Sequence, residues 1–208
     1  MKKIFWLVVS FLALAQAPSF AEDNIVIKSV VGNPQIQRGF EKLNAQPGMK
    51  LQVGDVVQTN ATNSQLDLSV NGVAGCRVLP VSEFVVIDTT RTAMKVEIKK
   101  GNAIMNLKKL PMGCSFQVET PSAIATVRGT QFWGRVQPVT TPTDLMTTFA
   151  VREGKVEVRG KKSGKAVLLK KGQAVDIAQD GSALPLIRPA LEEEMKAMEQ
   201  ASQIKIAA

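Results

Sequence analysis

Few side chains in this sequence have the type and position to do chemistry. They are the carboxylates Asp55, Glu83 and Glu153, Arg128 set among small residues, Trp133, and the pair Cys76 and Cys114. Two carboxylates converging on one cleft would support acid–base or glycoside chemistry, but each of these three sits at a turn or strand start where an acid is ordinary, and nothing in their spacing brings two together. The chain contains no His and no Tyr. That excludes Ser-His-Asp and Cys-His nucleophiles, an imidazole base, His-ligated zinc or haem, and an imidazole pH switch. Two cysteines are too few for a Cys₄ zinc site or an iron–sulfur cluster. No catalytic residue, metal or cofactor is therefore expected; binding, scaffolding and regulation remain, with a carboxylate enzyme ranked last.

The front of the chain sets the compartment. Met1-Lys2-Lys3, the uncharged apolar run Ile4–Ala15 and Ser19-Phe20-Ala21 ahead of Glu22 follow the order of a secretory signal peptide. The apolar run falls well short of the roughly 20 residues a spanning helix needs. A signal peptide over 1–21 is expected, with no transmembrane span in the mature chain and a periplasmic or extracellular location. Export gives Cys76 and Cys114 a structural use, a disulfide whose loop closure would contribute about 3–4 kcal/mol; two separate buried thiols are the alternative. Export also redirects the net charge of +8 away from nucleic acid. The densest basic stretch, Arg159–Lys165, is interleaved with Gly and Ser and lacks an aromatic residue, so it reads as a solvated hairpin tip.

The elements that must position these residues are short strands. Period-two alternation marks Leu66–Val70, Met94–Lys99 and Val156–Arg159. Gly54-Asp55, Asn71-Gly72, Gly101-Asn102, Glu153-Gly154, Lys171-Gly172 and Asp180-Gly181 punctuate them as turns, Asn71-Gly72 being the strongest hairpin signal. The expected fold is all-β: a sandwich, roll or short β-helix-like stack of about a dozen strands over residues 22–187. One amphipathic helix, Pro189 to Ile204, is expected in a C-terminal segment, 188–208. Its stripe of Leu191, Met195 and Met198 suits docking on the outside of the β domain, with Glu192 and Lys196 spaced as an i, i+4 pair.

The densest information lies between 115 and 136. Ser115–Glu119 alternates, Pro121 ends or bends that strand, and alternation resumes with Ala123, Ala125 and Val127 on one face. Gly129 suits a bulge or a positive φ, after which Phe132, Gly134 and Val136 fall in line with Trp133 opposite. The run Val118-Glu119-Thr120-Pro121-Ser122-Ala123-Ile124-Ala125-Thr126-Val127-Arg128-Gly129-Thr130-Gln131-Phe132 closely resembles the hallmark of the FecR domain, the extracytoplasmic module of ferric-citrate-type regulators. Gly54–Thr59, Asn71-Gly72 leading to Leu79-Pro80 and Ser82, Glu153–Val158 and Lys171–Gln173 resemble further family features in the same order.

The resemblance, over about Val26 to Ile177, implies a mainly-β, non-enzymatic domain that works by contact with envelope components. A signal peptide replaces the cytoplasmic segment and membrane helix of the regulators, so the expectation is a stand-alone exported protein-interaction or signalling module. Its expected partner is an envelope protein; the alternative is a glycan- or peptidoglycan-binding module, with lipopolysaccharide as a further anionic partner. Within the motif, Thr120, Pro121, Arg128, Gly129, Thr130 and Phe132 are expected to serve structure more than ligand binding. For Arg128 that means an ion pair or carbonyl contacts pinning the bend. Trp133 is either core of a second face or an exposed platform for a sugar ring.

Overall fold

The structure is a computed structural model that describes residues 25–60, 62–90, 92–179, 186–204 and 206. The signal segment, the Asp180-Gly181 turn and the middle residue of an Asn60-Ala61-Thr62 sequon lie outside the described residues. In chain order the strands are β1 (Ile25–Val31), β2 (Gln35–Arg38), β3 (Glu41–Asn44), β4 (Lys50–Leu51), β5 (Val56–Thr59), β6 (Gln65–Val70), β7 (Ala74–Val78) and β8 (Ser82–Asp88). There follow β9 (Ala93–Leu107), β10 (Ser115–Glu119), β11 (Ala123–Val127), β12 (Gln131–Pro138), β13 (Leu145–Glu153), β14 (Lys155–Gly160), β15 (Ala166–Lys170), β16 (Gln173–Ala178) and β17 (Leu186–Pro189). The protein is thus mainly β, with 17 strands among the described residues where about a dozen were expected.

The strands form one open network folded into two layers. One layer runs β4-β1-β6-β7-β9-β12-β13-β16-β17 and the other β3-β2-β5-β8-β9-β10-β11-β14-β15. β9 belongs to both. Its first part pairs with β8 and β10, and from Gly101 onward it pairs with β12 and β7. Every pairing is antiparallel except β9 with β10, which therefore needs the crossover over residues 108–114.

Alternation explains why these segments become strands. Ala123, Ala125 and Val127 are buried while Ile124 and Thr126 are half-buried, and β14 reads exposed–buried throughout. The inward rows of both layers meet in one core that includes Phe84, Phe116, Phe132 and Phe149. Each such side chain contributes about 1.5–3 kcal/mol by leaving water. The Asn71-Gly72 hairpin joins β6 to β7 as expected, both residues at positive φ, 48° and 62°. Gly101-Asn102 differs from expectation: it is no connection between strands but the bend inside β9 where the strand changes layer.

A smaller second core lies on the outer side of the first layer. Ile104, Trp133, Ala150 and Ala174 are covered there by Met198, Ala201 and Ile204. The covering segment is α1 (Glu192–Met198) with a 3₁₀ turn, Glu199–Gln203. It is tied down at several points: Arg77 donates to Gln200, Arg152 to the Met198 carbonyl and Asn106 to the Ala201 carbonyl. The helix starts later than expected. Leu191 is its half-exposed N-cap rather than part of the buried stripe, and the acid that matters is Glu194, whose carboxylate accepts from the Leu191 amide at 2.8 Å and from Arg188 at 2.7 and 2.9 Å. Arg188 also grips Asp176. Burial would raise the Asp176 pKa, but hydrogen bonds from Arg188 and Thr148 hold it below the usual carboxylate range.

Candidate functional site

The motif segment builds two turns with different roles. At the first, Thr120, Ser122 and Thr147 form a buried relay of hydroxyls. Ser122 lies 2.7 Å from Thr147, Thr147 donates to Thr120 at 3.0 Å, and the Ala123 amide donates to Thr120 Oγ1 at 3.0 Å. The Thr120 amide closes the turn on the Ala123 carbonyl. Pro121 sits half-buried at the corner, where no ladder donor is required. This corner fastens the β10–β11 hairpin to β13 and commits the hydroxyls of Thr120 and Ser122 within the fold.

The second turn, Arg128-Gly129-Thr130, faces outward. The Leu110 amide donates to the Arg128 carbonyl at 2.8 Å and the Leu107 amide to the Thr130 carbonyl at 3.0 Å, so the crossover loop and the turn hold each other. Gly129 adopts φ +149°, and a Cβ there would lie 3.0 Å from the Lys109 Cα; the two backbones run too close for a side chain between them. Thr130 is buried and its hydroxyl donates to the Lys155 carbonyl at 2.9 Å. These contacts shape an open groove of about 820 Å³ whose walls include Lys109, Met112, Arg128, Glu153 and Lys155. Met112 is 96% exposed.

Arg128 departs from expectation. Its side chain is exposed at the groove and, among the described residues, has no hydrogen bond or ion pair. The bend is pinned by its backbone carbonyl, not by its guanidinium. Every other described arginine has a partner: Arg38 holds Asp55, Arg77 holds Asp67, Arg135 lies 4.7 Å over the Trp133 ring, Arg152 donates to Met198, Arg159 holds Glu157 and Arg188 holds Asp176 with Glu194.

The remaining candidates scatter. Phe132 is fully buried in the main core, its ring 6.5 Å from that of Phe149. Trp133 is 4% exposed beneath the C-terminal segment, so it offers no platform for a sugar; an outward parity in the strand does not expose a residue that a helix then covers. Asp55 is buried against Arg38 at 2.6 Å, Glu83 stands 3.7 Å from Lys99, and only Glu153 reaches the groove. Among the described residues no three acids or cysteines gather where they would hold a metal. Lys109 and Met112 escaped notice because their only sequence signal is a basic pair before a Pro-Met-Gly loop. Lys155 lay within the Glu153-Gly154-Lys155 turn, read there only as a strand start.

The expected disulfide is not formed: Cys76 and Cys114 are free thiols. Cys76 is enclosed in the main core from β7, whereas Cys114 ends the crossover loop at the rim of an apolar pocket with Leu110, Pro111 and Met94. Burial, with Asp67 nearby, pushes the Cys76 thiol up to about 12. Iodoacetamide at pH 8 should therefore modify Cys114 and spare Cys76 until denaturant is added. Peptide mass mapping that finds both blocked in the native protein, and released by reductant, would establish a bridge instead.

No curated protein matches the chain in sequence. Two crystal structures, at 1.65 and 2.50 Å, of a candidate anti-sigma factor from Parabacteroides distasonis are similar in fold, with a TM-score of 0.56 and 18% identity. The match covers 70% of this chain and 64% of that one, so the chain spans less than two thirds of its structural neighbour. Residues 55–157 match the family described as FecR protein, a stretch that holds both turns of the motif, the crossover loop and every wall of the groove. The resemblance to the FecR domain therefore holds over residues 55–157, about half of the chain.

Proposed function

We propose that the protein is a non-enzymatic contact module of the cell envelope, which regulates by binding another protein through the groove at the Arg128 turn. The FecR domain marks a signalling or regulatory module. The observation that carries the contact site is Arg128: within the family stretch, a rigid turn presents a guanidinium that the fold itself does not use. The signal-peptide pattern of residues 1–21 supports export, and among the described residues no helix is long and apolar enough to cross a membrane. Residues 22–187 serve as the contact domain, and within the C-terminal segment 188–208 Met198, Ala201 and Ile204 cover its outer face. A glycan-binding role has lost its aromatic platform, since Trp133 is covered.

Photo-crosslinking in cells tests this reading. A crosslinking residue in place of Met112, at the groove, should capture a discrete protein, whereas the same residue in place of Leu168, exposed on β15, should not. Equal capture from both positions, or capture of peptidoglycan or lipopolysaccharide alone from Met112, would overturn it.

A further inference from the structure

We propose that the groove reads carboxylates: its occupant is an acidic, extended peptide segment of the partner, received by Arg128, Lys109 and Lys155. The proposal rests on the contact-module reading above and adds the chemistry of what is bound.

Three cations reach the groove from three separate segments, Lys109 from the crossover loop, Arg128 from the motif turn and Lys155 from the start of β14. Among the described residues none of the three makes a side-chain ion pair, and Glu153, the one acid on the walls, pairs with none of them. Elsewhere the cations beside acids are committed: Lys95 and Lys161 share Glu119 at 3.1 and 2.9 Å, and Arg77 meets Asp67 at 2.7 Å. The groove is thus a place where the fold gathers positive charge without neutralising it. A guanidinium offers a planar fork of donors that fits a carboxylate or a phosphate with two parallel bonds. It stands on backbone clamped from both sides by the Leu107 and Leu110 amides, so little ordering is needed on binding.

Two features favour a peptide over the phosphates of an envelope lipid or polysaccharide. Glu153 stands in the same groove and would repel clustered, doubly charged phosphates more than single carboxylates spaced along a peptide, whose backbone amides it can also accept from. Leu107, Leu110 and Met112 share the walls with the cations and suit a ligand that carries apolar side chains as well as acids.

Fluorescence anisotropy with the full chain tests the proposal. The probes are two labelled eight-residue peptides, one with alternating Glu and Leu and one with Gln in place of every Glu, and vesicles containing lipopolysaccharide form a third arm. The Glu peptide should bind at least about tenfold tighter than the Gln peptide and weaken as salt rises. Arg128→Glu should remove that preference, Arg128→Lys should restore part of it, and Lys165→Glu at the distant β14–β15 hairpin tip should leave it intact. Since the exposed Arg128 side chain makes no hydrogen bond or ion pair among the described residues, these variants should melt with the parent, which a thermal scan verifies. Equal binding of the two peptides, binding to lipopolysaccharide alone, or an equal loss on Lys165→Glu would overturn it. If Met112 still captures a protein in cells while Arg128→Glu leaves that capture unchanged, the contact module stands and carboxylate recognition falls.

Discussion

Gly101→Ala is expected to cost about 3–5 kcal/mol, enough to lower the Tm by about 10 °C in a chain of this size. Two costs combine. Gly101 sits at φ +83°, where an L side chain is strained by about 1–2 kcal/mol. Its Cβ would also lie against Ser82 Oγ, 2.5 Å from the Ser82 Cα and 2.6 Å from the Val81 carbonyl. Those atoms cannot retreat. The Ser82 amide donates to Thr59 at 2.9 Å, and its hydroxyl accepts from the Asn102 amide at 2.8 Å, so this joint ties β5, β8 and β9 together where β9 leaves one layer for the other. Gly172→Ala is the control: φ is +77° there, but nothing lies within 4 Å of the added carbon, so only the backbone cost of about 1–2 kcal/mol should appear. Urea denaturation followed by far-ultraviolet circular dichroism measures both. Equal losses at the two positions would mean that Ser82 does not pin the crossing.

Gly101 also shows where the sequence is hard to read. A Gly-Asn dipeptide after an alternating run signals a turn, and the same backbone freedom serves a sharp bend within one strand; only the partners on either side distinguish them. Those partners are distant. Residues 93–97 pair with β10 across the crossover, and residues 101–106 with β12, and no local pattern announces such pairings. Local features fared better. The parity of Ala123, Ala125 and Val127, the Asn71-Gly72 turn and the opposite facing of Phe132 and Trp133 all follow from alternation or turn chemistry, and the structure has each of them.

The candidate site was half legible for the same reason. Its motif turn stands in the sequence as one uninterrupted run, whereas the groove needs Lys109 and Lys155, brought there by a parallel crossover and a β13–β14 hairpin. Whether Arg128 pairs with an acid depends on what those two elements carry. They carry lysines and one acid that stays apart, a result no reading of the motif alone supplies. Trp133 is the converse case. Parity places it outward, and its burial depends on a helix that begins nearly 60 residues later.

Scaffold and contact roles within the motif separate in one pair of variants. Phe132→Ala should lose about 3–5 kcal/mol, the cost of emptying a fully enclosed phenyl site. Phe132 is 0% exposed, stacks obliquely on Phe149 and stands opposite Met105 of β9 and Val151 of β13 in register, so these neighbours are strand residues that cannot collapse inward without breaking their own ladders. With total stabilities of about 5–15 kcal/mol for a domain, that variant is close to the limit of folding, and Phe132→Leu, which keeps most of the volume, should lose less than half as much. Arg128→Ala, four residues away in the same motif, should change stability by less than about 0.5 kcal/mol, because the exposed side chain makes no hydrogen bond or ion pair among the described residues and the turn is held by backbone. Chemical denaturation of the three variants gives the answer. A loss above about 1 kcal/mol for Arg128→Ala would make the arginine part of the scaffold and remove the physical basis for a contact site at this turn. Near-neutral Arg128→Ala beside a crippled Phe132→Ala would show one short segment doing two things: its inward row holds the two layers together, and its single unpaired cation is left free to meet a partner.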